Sequence, residues 1–255
     1  MKVTGKLSGR RYVITGAASG IGLATAHVFA DEGANVLLVD RAPQESLDSI
    51  ASERPDLFDA LSVDVTAATD LEAMREKAAS LFRQIDGIVT SAGIVAFGSM
   101  EEIDEALFDR VISINLKGTF FTIKALLPIM KDGATITMVS SMAARLPSPS
   151  VSVYGMTKAS VTHLTKSLAV ELKDRKIRVN SIAPGNIETP IGRNAGFTPG
   201  EHDEYFARTA NMTPLSRNGQ AKEIGLGALY LASDDANFIT GTEILVDGGF
   251  TLLGG

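Results

Sequence analysis

Thr15-Gly16-Ala17-Ala18-Ser19-Gly20-Ile21-Gly22 lies between a short apolar run and an amphipathic one. Residues 12–15 read as a strand, and Ile21, Ala24, Thr25 and Val28 recur at helical spacing. Glycines at such a junction let the backbone turn tightly and approach a pyrophosphate, which then rests on the N-terminus of the helix. Outward from this loop the same alternation continues. Asn35–Asp40 is a continuous apolar run of strand length, the mark of a strand buried on both faces. Further strands are expected at residues 60–64, 87–91, 135–140, 177–183 and 243–246. Helices are expected over 68–82, in two stretches between Glu101 and Met130, over 152–174, and around Ile224, Ala228 and Leu231. This pattern predicts an α/β fold: a single Rossmann-like, doubly wound parallel sheet of about seven strands with helices on both faces. Residues 1–255 are read as one nucleotide-binding domain. Residues 191–217, rich in Gly, Asn, Thr and Pro, break the rhythm and are read as an irregular lid over a substrate site.

The second strand narrows the choice of dinucleotide. It ends at Asp40, about 20 residues beyond the glycines, where a carboxylate accepts hydrogen bonds from the adenosine ribose hydroxyls. That carboxylate repels a 2′-phosphate, so NAD is favoured over NADP. Arg41 pulls the other way, because a guanidinium can pair with a phosphate. Ser19, standing where a second cation would help NADP, returns the balance to NAD.

Composition removes several classes of function. The 255 residues carry 24 Lys and Arg against 30 Asp and Glu, a formal charge of −6, without a basic cluster for nucleic acid. No cysteine is present, which excludes a disulfide framework, a thiolate metal site and a cysteine nucleophile. His27, His163 and His202 are far apart in sequence and form no metal-ligand pattern, so no metal is expected. The opening residues show no signal-peptide core, and no apolar run is long enough to span a bilayer; a cytoplasmic protein without a membrane partner is the expectation.

Tyr154 and Lys158 are four apart on an expected helix and therefore share a face. A phenol ionises near pH ~10, too high for acid–base work at neutral pH. A neighbouring ammonium, together with the positive charge of an oxidised nicotinamide, favours the phenolate and draws its pKa down. Ser141 ends an apolar strand at the carboxyl edge of the sheet, where ligands bind in open α/β folds. Asn115 interrupts a helical stretch at some cost in propensity.

Taken in order, these residues resemble the classical short-chain dehydrogenase/reductase family along essentially the whole chain. The resemblance implies a cofactor site from Gly16, Ser19, Gly20, Ile21 and Gly22, with Asp40 and Arg41 at the ribose and Asp64-Val65 at the adenine. Asn115, Ser141, Tyr154 and Lys158 match the family's catalytic four. The 12 residues between Ser141 and Tyr154 match its spacing and select Ser141 over Ser140. Pro184-Gly185-Asn186-Ile187-Glu188-Thr189 is similar to the segment that holds the nicotinamide, with the Ile187 backbone and the Thr189 hydroxyl on its carboxamide. Thr90-Ser91-Ala92-Gly93 stands where the family has Asn-Asn-Ala-Gly, a departure at both asparagines.

The implied activity is exchange of hydride between NAD(H) and a secondary alcohol or ketone. Tyr154 acts as acid or base and Ser141 polarises the substrate oxygen. Lys158 tunes the tyrosine and binds the nicotinamide ribose, and Asn115 holds a water that leads protons out. Val95, Ala143, Leu146, Val151, Asn186 and Ile191 are expected to wall a mostly apolar substrate pocket. Two other readings stand beside this one. A 3-oxoacyl-[acyl-carrier-protein] reductase using NADP(H) would find Arg145 and Arg193 suited to an acidic carrier. A non-catalytic NAD-sensing scaffold would keep the fold alone. Phe120, Phe121, Ile123, Leu126, Leu127, Ile129 and Met130 spread around their helix, which predicts a homo-oligomer, dimer or tetramer.

Overall fold

The computed structural model describes residues 5–191 and 198–253. Seven strands form the main sheet: β1 (Arg11–Thr15), β2 (Asn35–Asp40), β3 (Phe58–Ser62), β4 (Ile85–Thr90), β5 (Met130–Val139), β6 (Arg178–Pro184) and β9 (Glu243–Val246). Their order is β3-β2-β1-β4-β5-β6-β9, and every neighbouring pair is parallel. The order reverses between β1 and β4, so the connections leaving these strands diverge and open a crevice at the carboxyl edge.

Alternate strand residues supply two cores. Tyr12, Ile14, Val36 and Leu38 face α1 (Gly20–Asp31) and α8 (Ala221–Ala232), where they meet Phe29, Ile224 and Leu231. Val13, Leu37 and Val39 face the other layer and meet Met74, Ile123, Leu126, Val161 and Leu168. Those residues come from α3 (Ala68–Phe82), α5 (Thr119–Leu126) and α6 (Ser152–Glu171). Burial on both faces is why the central strands are apolar throughout instead of alternating with polar residues.

Four local features differ from expectation. A short helix, α2 (Gln44–Ala51), follows β2 although only its Leu47 is buried. The two helices expected between Glu101 and Met130 are one run. In it α4 (Glu105–Ile112) and α5 are joined by a π-helical segment, Ser113–Gly118, that contains Asn115. Part of the stretch read as irregular is a 14-residue helix, α7 (Pro199–Met212). Thr198 and Glu201 close a capping box at its start and Pro199 occupies the first turn, a start signal present in the sequence but masked by the surrounding Gly, Asn and Thr. Finally, β7 (Ile187–Glu188) pairs with β8 (Gly219–Gln220), tying the segment after β6 to the start of α8. Arg193 and the rest of residues 192–197 lie outside the described residues.

Candidate active site

One cleft of about 2180 Å³ runs along the carboxyl edge of the sheet. At one end stands the glycine loop. Gly16 has φ of +71°, and a Cβ there would lie 2.7 Å from the amide nitrogen of Ala92. A Cβ on Gly22 would lie 2.1 Å from the carbonyl oxygen of Gly16, so the helix can start against the strand only with glycine at that position. Ser19 is the extended N-cap of α1 and makes no side-chain bond to the first helical turn. The cap thus leaves the first-turn amides for an anion, and the bare glycine backbone makes a cradle that side chains would fill. The loop fits a pyrophosphate on both counts.

The Asp40 carboxylate accepts hydrogen bonds from the amides of Ala18 (3.1 Å) and Ala42 (3.1 Å), which anchors it beside the loop. Asp64 accepts from both the amide and the hydroxyl of Thr66, and these bonds hold its carboxyl below the usual carboxylate range. At the replaced asparagines, the amides of Ser91 and Ala92 donate to Thr15, while the buried hydroxyl of Thr90 has no partner among the described residues.

At the other end, Ser141 caps a short turn, Met142–Ala144, with its Oγ accepting from the amide of Ala143 at 3.1 Å. Tyr154 and Lys158 lie in the first two turns of α6. Burial pushes the Tyr154 phenol up, a hydrogen bond with the Ser141 hydroxyl pulls it down, and the nearby Tyr205 raises it again. The Lys158 Nζ sits 5.7 Å from the Tyr154 ring centroid and donates to the carbonyl of Val139 at 2.9 Å. Burial lowers its pKa to about 8. In the protein alone, therefore, desolvation acts on both partners and opposes the lowering of the phenol that the sequence suggested.

Asn115 is 1% exposed. Its amide clamps both backbone groups of Ile94 at 2.8 Å and reaches the hydroxyl of Thr157 at 3.3 Å. Asn115 is therefore a buried, fully engaged side chain and not a surface residue of its helix. With Gly22, it stands behind the cleft wall. The other residues named from the sequence for the cofactor, the chemistry and the pocket line the cleft itself, among them Val95, Ala143, Leu146, Val151, Asn186 and Ile191.

The fold adds residues that no local pattern marked. Phe97 and Arg110 reach the cleft from one side, and Phe250 and Leu253 from the C-terminal helix. Tyr205 of α7 donates to Asn186 Oδ1 at 2.6 Å. Glu243, at the start of β9, places a carboxylate beneath the Ser141 turn with its side chain 2% exposed.

Residues 16–251 match a family model described as enoyl-(acyl carrier protein) reductase. A relative from Bacillus subtilis (strain 168), the uncharacterized oxidoreductase YxbG, is 41% identical over 252 residues, covering 96% of this chain and 92% of that protein. The chain is a short-chain dehydrogenase/reductase. The 3-oxoacyl-[acyl-carrier-protein] reductase FabG of Thermotoga maritima is 37% identical, with 97% of this chain and 100% of that one covered. The crystal structure of the short-chain dehydrogenase/reductase glucose/ribitol dehydrogenase of Brucella melitensis superposes with a TM-score of 0.90 at 35% identity, covering 97% of this chain and 99% of that one. Membership makes the chain an oxidoreductase of a family that uses a nicotinamide cofactor, NAD or NADP. In this short-chain dehydrogenase/reductase no described helix is long and apolar enough to cross a membrane.

Proposed function

We propose that the protein is an NAD(H)-dependent oxidoreductase that interconverts a secondary alcohol and a ketone. The observation that carries the reading is that Ser141, Tyr154 and Lys158 line the same cleft as the glycine loop and Asp40, with Ser141 placed to draw the Tyr154 phenol down. Gly16, Ser19, Gly20 and Ile21 would hold the pyrophosphate and Asp40 the adenosine ribose. Ile187 and Thr189 would hold the carboxamide. The nicotinamide, when bound, supplies the two-electron exchange. Ser141 donates to the substrate oxygen and stabilises charge there. Tyr154 Oη takes the hydroxyl proton in oxidation and returns it in reduction. Lys158, deprived of solvent, has its ammonium available for the ribose hydroxyls and for the phenolate as it forms. Asn115 fixes the Ile94 backbone against α6, and so sets the wall facing Tyr154.

We read the chain as one cytoplasmic domain in which α7 covers the substrate. Phe120 and Phe121, 44% and 38% exposed on α5, together with Met156 on α6, support a homo-oligomer. A second reading, an NADP(H)-dependent 3-oxoacyl carrier-protein reductase, draws on the Thermotoga relative and on Arg41 beside Asp40. Steady-state assays with NAD and NADP across panels of secondary alcohols and ketones separate the two. The expected result is turnover with a kcat/KM at least about tenfold higher for NAD, some 1.4 kcal/mol of discrimination. Equal or better use of NADP overturns the cofactor assignment, and cofactor binding without turnover by any alcohol or ketone favours a scaffold.

A further inference from the structure

The carboxylate of Glu243 is buried, and a buried charge is tolerated only when paired and hydrogen-bonded. Its partners are informative. Oε1 accepts from Arg145 Nε at 2.7 Å. Oε2 accepts from Thr162 Oγ1 at 2.5 Å and lies 3.4 Å from Ser181 Oγ. Thr162 Oγ1 also lies 2.9 Å from Ser140 Oγ, a contact either hydroxyl can donate, and both hydroxyls reach the carbonyl of Lys158, at 3.1 Å and 3.2 Å. Ser140 and Arg145 flank the turn that presents Ser141, and both lead to this one carboxylate. Thr162 lies on α6, one helical turn beyond Lys158 and two beyond Tyr154.

We propose that Glu243 is a positioning residue: its carboxylate ties both arms of the Ser141 turn to the helix that carries Tyr154 and Lys158. Neither Glu243 nor Arg145 touches the reacting atoms in this scheme. They set the distance between two hydroxyls that must meet on one substrate oxygen, a geometry in which small displacements are costly in rate. Among the described residues, Arg145 is the charged group that pairs with Glu243. Around Tyr154 stand Ser141, Tyr205 and the Lys158 ammonium. Because the Ser141 bond draws the phenol down, loosening the turn raises the phenol's pKa.

The inference rests on the alcohol-oxidising reading above, and its test separates the two. Arg145→Met, Glu243→Gln and the double variant are compared with wild type in kcat/KM for alcohol oxidation from pH 6 to 11, beside NAD affinity by fluorescence. Oxidation requires the phenolate, so the rate rises with pH through the apparent pKa of Tyr154. Each single variant is expected to move that limb upward by about half to one pH unit, a three- to tenfold rate loss below it. NAD affinity is expected within about twofold of wild type, and the double variant no worse than the worse single. Arg145 is half exposed, so Arg145→Met keeps the test alive if Glu243→Gln fails to fold. A limb that stays in place, or shifts that add, overturns the positioning role. Absence of oxidation by the wild type overturns the functional reading instead.

Discussion

At the cofactor end of the cleft, residues 15 to 22 build their contacts from one short loop: a left-handed glycine, a second glycine pressed on the first, and a carboxylate from the adjacent strand bonded to the loop's own amide. At the proposed chemical end, Ser141, Tyr154, Asn115 and Glu243 come from a turn, a helix, a π-helical segment and an edge strand, and Asn115 and Glu243 are held by partners distant in sequence. The first region is a backbone device and leaves its signature in consecutive residues. The second is a side-chain device assembled by packing, and it tolerates small geometric error less.

The contrast can be broken by substitution. Tyr154→Phe removes one oxygen from the chemical end and should lower turnover by about a thousandfold or more, while NADH binding by fluorescence stays within about twofold. Retention of more than a few per cent of activity would make the chemical end independent of its phenol. Gly22→Ala attacks the other end, where the new methyl must displace the Gly16 carbonyl. The expected cost is about 1–3 kcal/mol in thermal or urea unfolding, with NAD affinity reduced at least about tenfold. An unperturbed variant would mean that the loop is less tightly specified than its closeness suggests.

A smaller effect sharpens the electrostatic side of the comparison. Lys158 has a folded pKa of about 8 in the protein without cofactor, against 10.5 for an ordinary lysine. Below pH 8 both folded and unfolded chains carry the proton, and the folded one bears the full burial penalty. Between pH 8 and 10.5 the unfolded chain binds more protons, so wild-type stability gains with rising pH. The melting temperature of wild type relative to Lys158→Met should therefore climb across that window and level off above it. A flat difference between pH 7 and 11 would show that the ammonium is not desolvated.

Legibility followed the same division. The helix Ala68–Phe82 and the strand Glu243–Val246 match the sequence reading at both ends, and Asn35–Asp40 does so as a buried strand. All three are continuous periodic or apolar runs. The π-helical segment was not readable, because Ser113–Gly118 has no composition that separates it from α-helix. The capping box at Thr198 was readable but outweighed by its neighbours. Glu243 looked like an ordinary strand residue, since nothing local shows that a strand-end carboxylate is enclosed.

The sequence by itself determined the layered α/β architecture and the glycine loop between the first strand and the first helix, because these follow from hydrophobic period and glycine sterics; the preference for Ser141 over Ser140 came from the family resemblance. Only the tertiary structure decided how Ser141 meets Tyr154, what Asn115 holds and what lies beneath the Ser141 turn. Those relations depend on packing between elements that the sequence separates by a dozen to nearly a hundred residues, and on the desolvation that packing imposes, and neither is encoded in any single stretch of residues.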